Sequence, residues 1–528
     1  MHIASESERA ELVREFGGLP YVYDLLSSQA ASRSLRSLIH DVQGRITSER
    51  AQRSAREWEQ IRGQVVEFAA LASTVARLPE QSRRLLGKLS LFRTPFPLQA
   101  LEQGLKVAEF DWKPLLDWAL LRFDAVDGDY RLHSLTAHYA QNLLDATERI
   151  TTQVQLAEWY LRYAREVSHE LSAYLEAHRL LRAAGEVERA GELAMNLGET
   201  LSRFGLYQLL SQLCIATIDD SQNTSESLVA QAQHQLGNVT YLQGEYEEAR
   251  RLYEEALSIF ERLGDQGGRA STLHQLGNIA CLRGEYKEAQ RLYEEALSIF
   301  ERLGNQGGRA STLGQLGRIA QEQGEYEEAR RLYGEVLAVF EQLGNQNGRA
   351  ITLHQLGRIA QAQGKYEEAR RLCREALSIF ERLGNQRGRA NTLHQLGNIA
   401  CLQGQYEEAR RLCGEALSIF ERLDDQGGRA ITLRTLGNIA QEQGEYEEAR
   451  RLYEESLTIE ERLGNQGERA GTLHALGNIA YRQGKYEEAR RLYREALSIC
   501  ERLGNQSGRA STLGQLGNIA QDQGEYKA

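Results

Sequence analysis

The sequence predicts an all-α protein in which a regular array of helix pairs follows an N-terminal region of different construction. The first observation is a 40-residue period, marked by one glycine in each of eight successive copies: Gly237, Gly277, Gly317, Gly357, Gly397, Gly437, Gly477 and Gly517. A period in this range without an alternating apolar pattern indicates a helical solenoid. The second observation is that all five prolines and all four tryptophans precede residue 160. The chain of 528 residues therefore divides into an array and a different front.

Residues 1–76 are predicted to form a helical segment. A helix with the sequence SESERAELVREF comes before a break at Gly17-Gly18-Leu19-Pro20, where a second apolar helix starts. Residues 32–76 continue the helical pattern without a clear linker.

Residues 77–149 are predicted to form a more compact, winged-helix-like domain. Helices are expected at 79–92, 97–105 and 112–120, followed by a hairpin within 123–133 and a helix at 134–144. Asp127-Gly128 is the predicted two-residue hairpin turn, because glycine accepts the positive φ that such a turn requires. Three helices, a hairpin and a further helix favour a winged-helix arrangement.

Residues 150–224 keep a helix-turn rhythm with degraded motifs. Helices are predicted at 171–184, 189–204 and 207–218, with turns at Gly185 and Gly205. Atypical repeats are expected at the end of a solenoid, because one face meets a different neighbour. Residues 225–528 form the regular array, whose eighth copy contains only its first helix.

Each copy in the array is predicted to contain two helices. In residues 269–308, Leu273, Leu276 and Ala280 share one face of the first helix, with Gly277 beside them. A glycine within a helix costs roughly 1 kcal/mol relative to alanine, so its recurrence predicts close packing against the second helix. Gly284 and Gly304 are expected to end the first and second helices, and 305–308 to link to the next copy. The apolar stripe of the second helix is predicted to consist of Ala289, Leu292, Tyr293, Ala296, Ile299 and Phe300.

These copies resemble tetratricopeptide repeats. The matching residues in one copy are Leu273, Leu276, Gly277, Ala280, Ala289, Tyr293 and Ala296. The proline that the family usually places after the second helix is absent, and the helix is longer, as in the 40-residue variety found in kinesin light chains. The resemblance implies a right-handed superhelical solenoid that binds an extended peptide or protein segment along its concave side.

A candidate binding groove follows from positions that vary between copies although the core positions hardly change. One position of the first helix carries His234, His274, His354, His394 and His474. The position four residues later carries Asn238, Asn278, Arg318, Arg358, Asn398, Asn438, Asn478 and Asn518. Both positions share one helical face. Asparagine suits a peptide backbone and arginine a carboxylate, and the resemblance implies that the asparagines contact ligand backbone. The alternative is that this face varies because nothing packs on it.

The front of the chain has a second resemblance. The segment FGGLPYVYDLL resembles the Gly-x-Pro segment of NB-ARC-type signalling ATPases of the STAND class, and the stretch from LPEQSRRLLGKLSLF to YRLHSLTAHYA resembles their winged-helix domain. The resemblance implies that Pro20 packs near an adenine and that His133 reaches the β-phosphate of bound ADP. Leu132 and Ser134 stand where the family has methionine and aspartate, which weakens the case for an ADP-dependent lock.

The sequence contains no Gly-x-x-x-x-Gly-Lys-[Ser/Thr] phosphate-binding loop. We therefore expect no enzymatic activity and no cofactor, with ADP or ATP bound only if the chain is joined to a P-loop domain. The leading hypothesis is a protein-interaction scaffold, the sensor part of a STAND-type signalling protein, for which oligomerisation would be possible. An alternative hypothesis is that the chain is part of a nucleotide-dependent switch NTPase. A weaker hypothesis is that it is a winged-helix DNA-binding regulator, although the negative charges of Asp111 and Asp117 in its candidate recognition helix disfavour contact with DNA phosphates.

Composition and charge restrict the classes of partner and the cellular compartment that we expect for the protein. The net charge of −11 disfavours nonspecific attraction to nucleic acid or anionic lipid. No run of 18 apolar residues occurs, and the first 16 residues lack an apolar signal core, so we expect no membrane partner and a cytoplasmic location. Six scattered cysteines are predicted to be reduced packing residues. The histidines lie on different copies and cannot share one metal, whose ligands sit about 2.0–2.1 Å from zinc.

Overall fold

The computed structural model of the protein describes residues 19–29, 35–50, 55–220, 222 and 224–523. The chain divides into two compact units, Met1–Gly264 and Asp265–Ala528. The predicted helix SESERAELVREF and the two glycines after it lie outside the described residues, as does the end of the eighth copy. We number the copies of the array 1 to 8 by their glycines, from Gly237 to Gly517; copy 1 belongs to the first unit.

The first unit consists mainly of helices with one small sheet. Its α-helices are Pro20–Gln29, Leu35–Arg50, Ala55–Val75, Glu80–Leu89, Glu109–Asp117, Ser134–Ala140, Ala146–Tyr163, Leu171–Ala183, Val187–Arg203, Tyr207–Asp219, Glu226–Leu242 and Tyr246–Leu263. Its strands are β1 (Phe96–Pro97), β2 (Leu121–Phe123) and β3 (Asp129–Leu132). A core of buried apolar side chains, among them Leu25, Leu38, Leu71 and Leu86, joins its N-terminal helices to the region around the sheet.

The sheet is antiparallel, with the strand order β1-β3-β2. The hairpin lies at the predicted place, but its loop is wider than the predicted two-residue turn. Phe123 pairs with Tyr130, and the amide of Gly128 donates to the carbonyl of Asp124 over 2.9 Å. Asp124 also accepts a hydrogen bond from the amide of Val126, so its side chain stabilises a longer loop. Gly128 has a φ of +75°, as expected for the glycine of this turn.

The predicted helix at 97–105 is confirmed in part, because residues 98–104 are helical and Ala100–Gly104 among them form a π-helix. The sequence did not predict the strand before it: Phe96 and Pro97 pair with Tyr130 and Asp129 as strand β1. The ring of Phe96 is buried and stacks on Phe92 with centroids 4.1 Å apart. Burial of this aromatic ring holds the segment in the sheet, an effect of tertiary packing that local propensity does not contain.

The second unit is a series of helix pairs. Its helices are Gln266–Leu282, Tyr286–Arg302, Gln306–Glu322, Tyr326–Gln342, Gln346–Ala362, Tyr366–Leu383, Gln386–Leu402, Tyr406–Arg422, Gln426–Glu442, Tyr446–Leu463, Gln466–Arg482, Tyr486–Arg502 and Gln506–Asp522. The predicted helix ends are confirmed: Gly284 and Gly304 follow their helices with φ of +75° and +66°. No helix among the described residues is long and apolar enough to cross a membrane.

The predicted link between copies is the start of the next helix. Gln306 begins the first helix of copy 3, and the side chain of Asn305 accepts a hydrogen bond of 2.9 Å from the amide of Gly308. Asn345 and Asn385 cap the following first helices in the same way. Because a side-chain oxygen satisfies an amide of the first turn, the glycines after it can be helical.

The mid-helix glycines of copies 1 to 7 pack against the second helix of their own copy, as predicted. A Cβ atom at Gly277 would lie 2.6 Å from the ring of Tyr293, and one at Gly437 would lie 2.6 Å from the ring of Tyr453. The predicted stripe of the second helix in copy 2 is buried throughout. The glycine therefore creates the space in which the tyrosine ring lies.

Candidate partner-binding face

The predicted groove residues lie near the middle of the first helices, where they are half-buried or exposed. Arg358, Asn438 and Asn518 are exposed, and the other members of the asparagine and arginine series are half-buried. Since the apolar side chains of the same helices are buried, these polar residues form a separate face, which we call the first-helix face. The structure thus places all eight members at equivalent positions of successive first helices.

Four of the asparagines accept a hydrogen bond from a tyrosine that the sequence had suggested only as a core residue. Tyr293 donates to Oδ1 of Asn278 over 2.7 Å. The same bond joins Tyr253 to Asn238 at 2.8 Å, Tyr453 to Asn438 at 2.6 Å and Tyr493 to Asn478 at 2.7 Å. Because the carbonyl oxygen is engaged, the amide NH2 is the group that Asn438 and Asn478 offer to a ligand. The NH2 group of Asn278 already donates to Oε1 of Gln275 over 2.7 Å.

The two arginines of the series differ in their surroundings. Arg318 is half-buried and contacts Gln315, Glu322 and the sulfur of Cys281. Arg358 is exposed, and its described contact is a hydrogen bond of 3.1 Å to Gln355. Among the described residues, no carboxylate lies within ion-pair distance of Arg358. Its charge is therefore the more available of the two for a partner.

The histidines join neighbouring first helices. His274 contacts the hydroxyl of Thr312 in the next copy at 3.0 Å, and His354 contacts Thr392 at 3.3 Å. Both threonines already donate to a backbone carbonyl, so the imidazole must be the donor. Burial lowers the pKa of His274, His354 and His394 to about 4. These rings are therefore neutral at physiological pH and help to hold the copies together.

A pocket of about 590 Å³ opens on the first-helix face of copies 4 to 6. Its lining consists of Ile351, His354, Gln355, Arg358, Phe380, Asn385, Arg387, Gly388, Asn391, Thr392, His394, Gln395 and Ile431. The predicted residues His354, Arg358 and His394 thus meet in one cavity. The structure does not gather the remaining groove residues into this pocket.

Sequence reasoning missed the apolar part of this pocket. Ile351 and Ile431 are 46% and 37% exposed. The equivalent position holds Ser271, Ser311 and Ser511 in three other copies. Comparing the copies at this position would have found the two isoleucines, because an exposed isoleucine where other copies have serine is a distinctive change.

Next to this pocket, cysteine replaces the tyrosine that donates a hydrogen bond to the asparagine in other copies. Cys373 and Cys413 occupy that position in copies 4 and 5, and both are buried beneath Gly357 and Gly397. Burial raises the pKa of both thiols to about 12, so they stay protonated and unreactive. Arg358 and Asn398 therefore lack the hydroxyl donor present in copies 1, 2, 6 and 7.

The helix that begins at Pro20 contacts His133, the other residue implied in nucleotide contact. Pro20 begins a helix, and the next residue, Tyr21, stacks on His133 with ring centroids 4.0 Å apart. Nδ1 of His133 accepts a hydrogen bond of 3.3 Å from the amide of Leu135 and thereby caps the helix Ser134–Ala140. Burial and the neighbouring Arg122 lower the pKa of His133. In the neutral ring, Nε2 then carries the proton and can donate.

No group of three or more histidine, cysteine, aspartate or glutamate side chains suited to a metal ion occurs in the part of the chain that the structure describes.

Comparisons with known proteins were made for the sequence and for the fold. A family model described as tetratricopeptide repeat matches residues 228–302, 308–382, 388–462 and 468–528. No curated protein gives a significant sequence match.

Among solved structures, the chain is similar to a Signal Transduction ATPase with Numerous Domains (STAND) protein with a tetratricopeptide repeat sensor from Pyrococcus horikoshii. The TM-score is 0.64 at 15% identity, covering 98% of this chain and 72% of that chain. The chain is also similar to the apo form of the quorum sensor NprR from B. thuringiensis, with a TM-score of 0.50 at 15% identity over 67% of this chain and 99% of that chain. At such identities the likeness shows the fold alone.

Proposed function

Because this chain belongs to the tetratricopeptide repeat family, we propose that it is a protein-interaction scaffold that holds an extended segment of a partner against its first-helix face. The observation that carries the proposal is the pocket of about 590 Å³ in copies 4 to 6, which combines two exposed isoleucines with an arginine that has no carboxylate partner among the described residues. An apolar cavity with a few polar groups is typical of a ligand site.

The chemistry of the pocket suggests what the partner segment carries. Ile351 and Ile431 offer apolar surface at either side of Asn391, so an aliphatic or aromatic side chain would bury area there. Arg358 would pair with a carboxylate of the same segment. Arg387 also lines the pocket but is already paired with Asp425 at 3.2 Å. The ligand that fits is an extended segment with an apolar and an acidic residue.

The asparagines would hold the segment outside the pocket. Asn438 and Asn478 have their carbonyl oxygens engaged by tyrosine, and their amide groups would donate to backbone carbonyls of an extended chain. Backbone contacts of this kind give affinity with little sequence selectivity. Selectivity would then come from the pocket in copies 4 to 6.

The experiment is selection of binders from a peptide library displayed on phage, with the purified protein as bait. The selected peptides are then measured against a variant carrying Ile351→Ser, Arg358→Ser and Ile431→Ser. Serine occupies the isoleucine position in other copies, so the variant should keep its fold and melting temperature. We expect enrichment of peptides with an acidic and an apolar residue, and a loss of affinity of at least about tenfold in the variant.

The control variant is Arg371→Ser. Arg371 is exposed on the second helix of copy 4, and its removal takes away one positive charge without touching the pocket. Unchanged binding by this control is expected. Selected peptides that bind the triple variant as tightly as the native protein would contradict the proposed site.

We further propose that the scaffold is the sensor part of a STAND-type signalling protein. Support comes from the fold likeness to the STAND protein from Pyrococcus horikoshii over 98% of this chain, and from the placement of Tyr21 and His133 at one point of the first unit. The Nε2 atom of His133 is a donor suited to a phosphate oxygen, should a P-loop domain supply the rest of a nucleotide site.

The test of the STAND proposal is the mass of the native protein in its source cells, detected with an antibody against the array and identified by mass spectrometry. A longer species with a P-loop domain ahead of this sequence would support the proposal. A species with the mass of this chain alone would contradict it and leave the scaffold function in place.

A further inference from the structure

Arginines of the second helices connect consecutive copies within the second unit. Arg330 forms two hydrogen bonds to Glu368 of the next copy, at 2.7 and 3.2 Å. Arg450 contacts Glu488 in the same way, at 2.8 and 3.2 Å. The bond of Arg370 to Glu408 has the same 38-residue spacing, with distances of 2.9 and 3.0 Å. A bidentate guanidinium thus spans the gap between neighbouring second helices.

In copy 5, Arg410 reaches the next copy at Gln443 and Glu445 instead. Copy 2 differs from all of these, because it has Gln290 where they have arginine. The amide of Gln290 turns back to Glu294 on its own helix, at 2.9 Å. Glu328, which stands 38 residues further along, pairs instead with Arg331 on its own helix. The gap between the second helices of copies 2 and 3 therefore has the glutamate of the bridge but not its arginine.

A pocket of about 270 Å³ opens in this gap, with Gln290 and Glu328 in its lining. Its floor is apolar and includes Leu313, Leu316 and Leu332. The volume lies below the range of about 300–1,000 Å³ typical of pockets for drug-sized molecules, and it fits one long side chain. An aliphatic stem could pack on the floor while its charged end reaches the rim.

The rim of the pocket is acidic. Arg309 contacts Glu301 and Glu335, and Arg331 contacts Glu328 and Glu335, so three of the rim carboxylates have cationic neighbours. The two others are Glu294 and Glu325, and neither is paired with a cation among the described residues. The position of Glu325 holds Lys365 and Lys485 in copies 4 and 7. This gap is thus more negative than those that follow Arg330 and Arg450.

We propose that this pocket, the copy-2 pocket, binds an arginine side chain of a partner protein. The partner's guanidinium takes the place of the arginine missing at residue 290 and pairs with Glu328, and its stem covers the leucine floor. The neighbouring copies show that an arginine fits between two such helices and meets a glutamate in bidentate geometry. The site lies between the second helices of copies 2 and 3, with part of its floor from the first helix of copy 3, and it shares no lining residue with the pocket on the first-helix face.

The experiment uses a second phage-displayed peptide library in which the central residue is fixed as arginine. Peptides selected on the native protein are synthesised with arginine or with citrulline, which has a similar shape but no charge, and their affinities are measured. The variant Gln290→Arg supplies the missing arginine from the chain itself and should fill the pocket. We expect citrulline peptides to bind the native protein about tenfold more weakly, and arginine peptides to lose at least as much on the variant.

A variant designed to create a second copy of the site provides a further test. Arg450→Gln together with Lys485→Glu recreates the charges of the copy-2 pocket between copies 6 and 7, where Glu454 and Glu488 are already present. The stoichiometry of the selected peptide should rise from one to two. The variant with three serines on the first-helix face should bind this peptide normally, which separates the two sites.

The proposal is overturned if the library yields no peptide whose binding depends on Gln290. Equal affinity for arginine and citrulline peptides would also overturn it, as would unchanged stoichiometry in the double variant. Because Gln290→Arg restores a contact that other copies possess, its melting temperature should not fall, and a loss of binding cannot then be attributed to unfolding.

Discussion

The hydroxyl of Tyr293 donates a 2.7 Å hydrogen bond to Oδ1 of Asn278, and so connects the two helices of copy 2 at the edge of the first-helix face. Asn278 had been expected to act only towards a ligand. The oxygen of this amide therefore joins the two helices, while its NH2 group donates to Oε1 of Gln275 over 2.7 Å. Both ends of the amide contribute to the structure of the copy.

Tyr293→Phe should lower the free energy of unfolding by about 0.5–1.5 kcal/mol, because it removes the donor and leaves the ring in place. The measurement is urea unfolding followed by circular dichroism. Tyr406→Phe is the control, since Tyr406 begins the second helix of copy 5 and makes no hydrogen bond of this type. Equal stability of both variants would show that the Tyr293–Asn278 bond contributes nothing measurable.

Gly277→Ala should be strongly destabilising although alanine is the better helix former. The new Cβ atom would come within 2.6 Å of the Tyr293 ring, and overpacking of this kind costs about 1–3 kcal/mol. Gly314→Ala is the matched control, because nothing lies within 4 Å of its Cβ position. That variant should gain up to about 1 kcal/mol from helix propensity. Thermal melts of the two variants should thus shift in opposite directions.

Copy 6 replaces a core phenylalanine by Glu460, which is only 1% exposed. Oε1 of this residue accepts hydrogen bonds from Ser456 at 3.0 Å and from Thr472 at 2.9 Å, whereas Oε2 has no hydrogen-bond partner. Burial raises the pKa of the carboxyl. The first helix of copy 7, which follows, carries Glu468. The first helices of copies 4 to 6 carry glycine at the equivalent position.

The change at residue 460 should be coupled to the change at residue 468. Between copies 2 and 3, a Cβ atom at Gly308 would lie 2.6 Å from the ring of Phe300, so Glu460→Phe alone should clash with Glu468. Adding Glu468→Gly makes room for the ring. We expect a coupling free energy of about 1–3 kcal/mol in a double-mutant cycle measured by urea unfolding. Additive effects of the two substitutions would contradict this packing argument.

Acid should weaken the array through its histidines. The folded pKa values of His274, His354 and His394 are about 4, against an ordinary value of 6.5. Below pH 6.5 the unfolded chain therefore binds protons that the folded chain does not, and stability declines as the pH falls from 6.5 to 4. Urea unfolding at several pH values should show this slope. Replacing the three histidines by glutamine should flatten it, and an unchanged slope would assign the acid effect to other groups.

Equivalent leucines should differ in importance according to burial. Leu473 in copy 7 is 2% exposed, whereas Leu513 in copy 8 is 44% exposed. Leu473→Ala should cost about 2–5 kcal/mol by leaving a cavity, and Leu513→Ala should cost less than about 1 kcal/mol. Comparable melting temperatures for the two variants would contradict the burial pattern.

Much of the array could be predicted because its signals are local and repeated. The positive φ of Gly284 and the buried stripe from Ala289 to Phe300 follow from residue type and helical period. The N-terminal region was harder to predict from the sequence. Phe96 pairs in a strand that the sequence did not predict, because its ring is buried against Phe92. Asp124 makes the hairpin loop longer than the predicted two-residue turn.

The candidate site likewise has features that the sequence predicted and features that it did not. The sequence indicated the face on which Arg358 and the asparagines lie, since a helical period assigns residues to faces. It did not indicate that the histidines contact threonines of the next copy, or that Ile351 and Ile431 share a pocket with Arg358. Those contacts join residues about 40 positions apart and depend on how neighbouring helices pack.

By itself, the sequence determined the helix pairs, their ends and their apolar faces, because spacing and glycine placement act within a few residues of one chain segment. Only the tertiary structure decided that Tyr293 holds Asn278, that the gap beside Gln290 is open, and that Glu460 is buried. Each of these depends on distances between separate helices, and such distances are set by the packing of all the side chains between them.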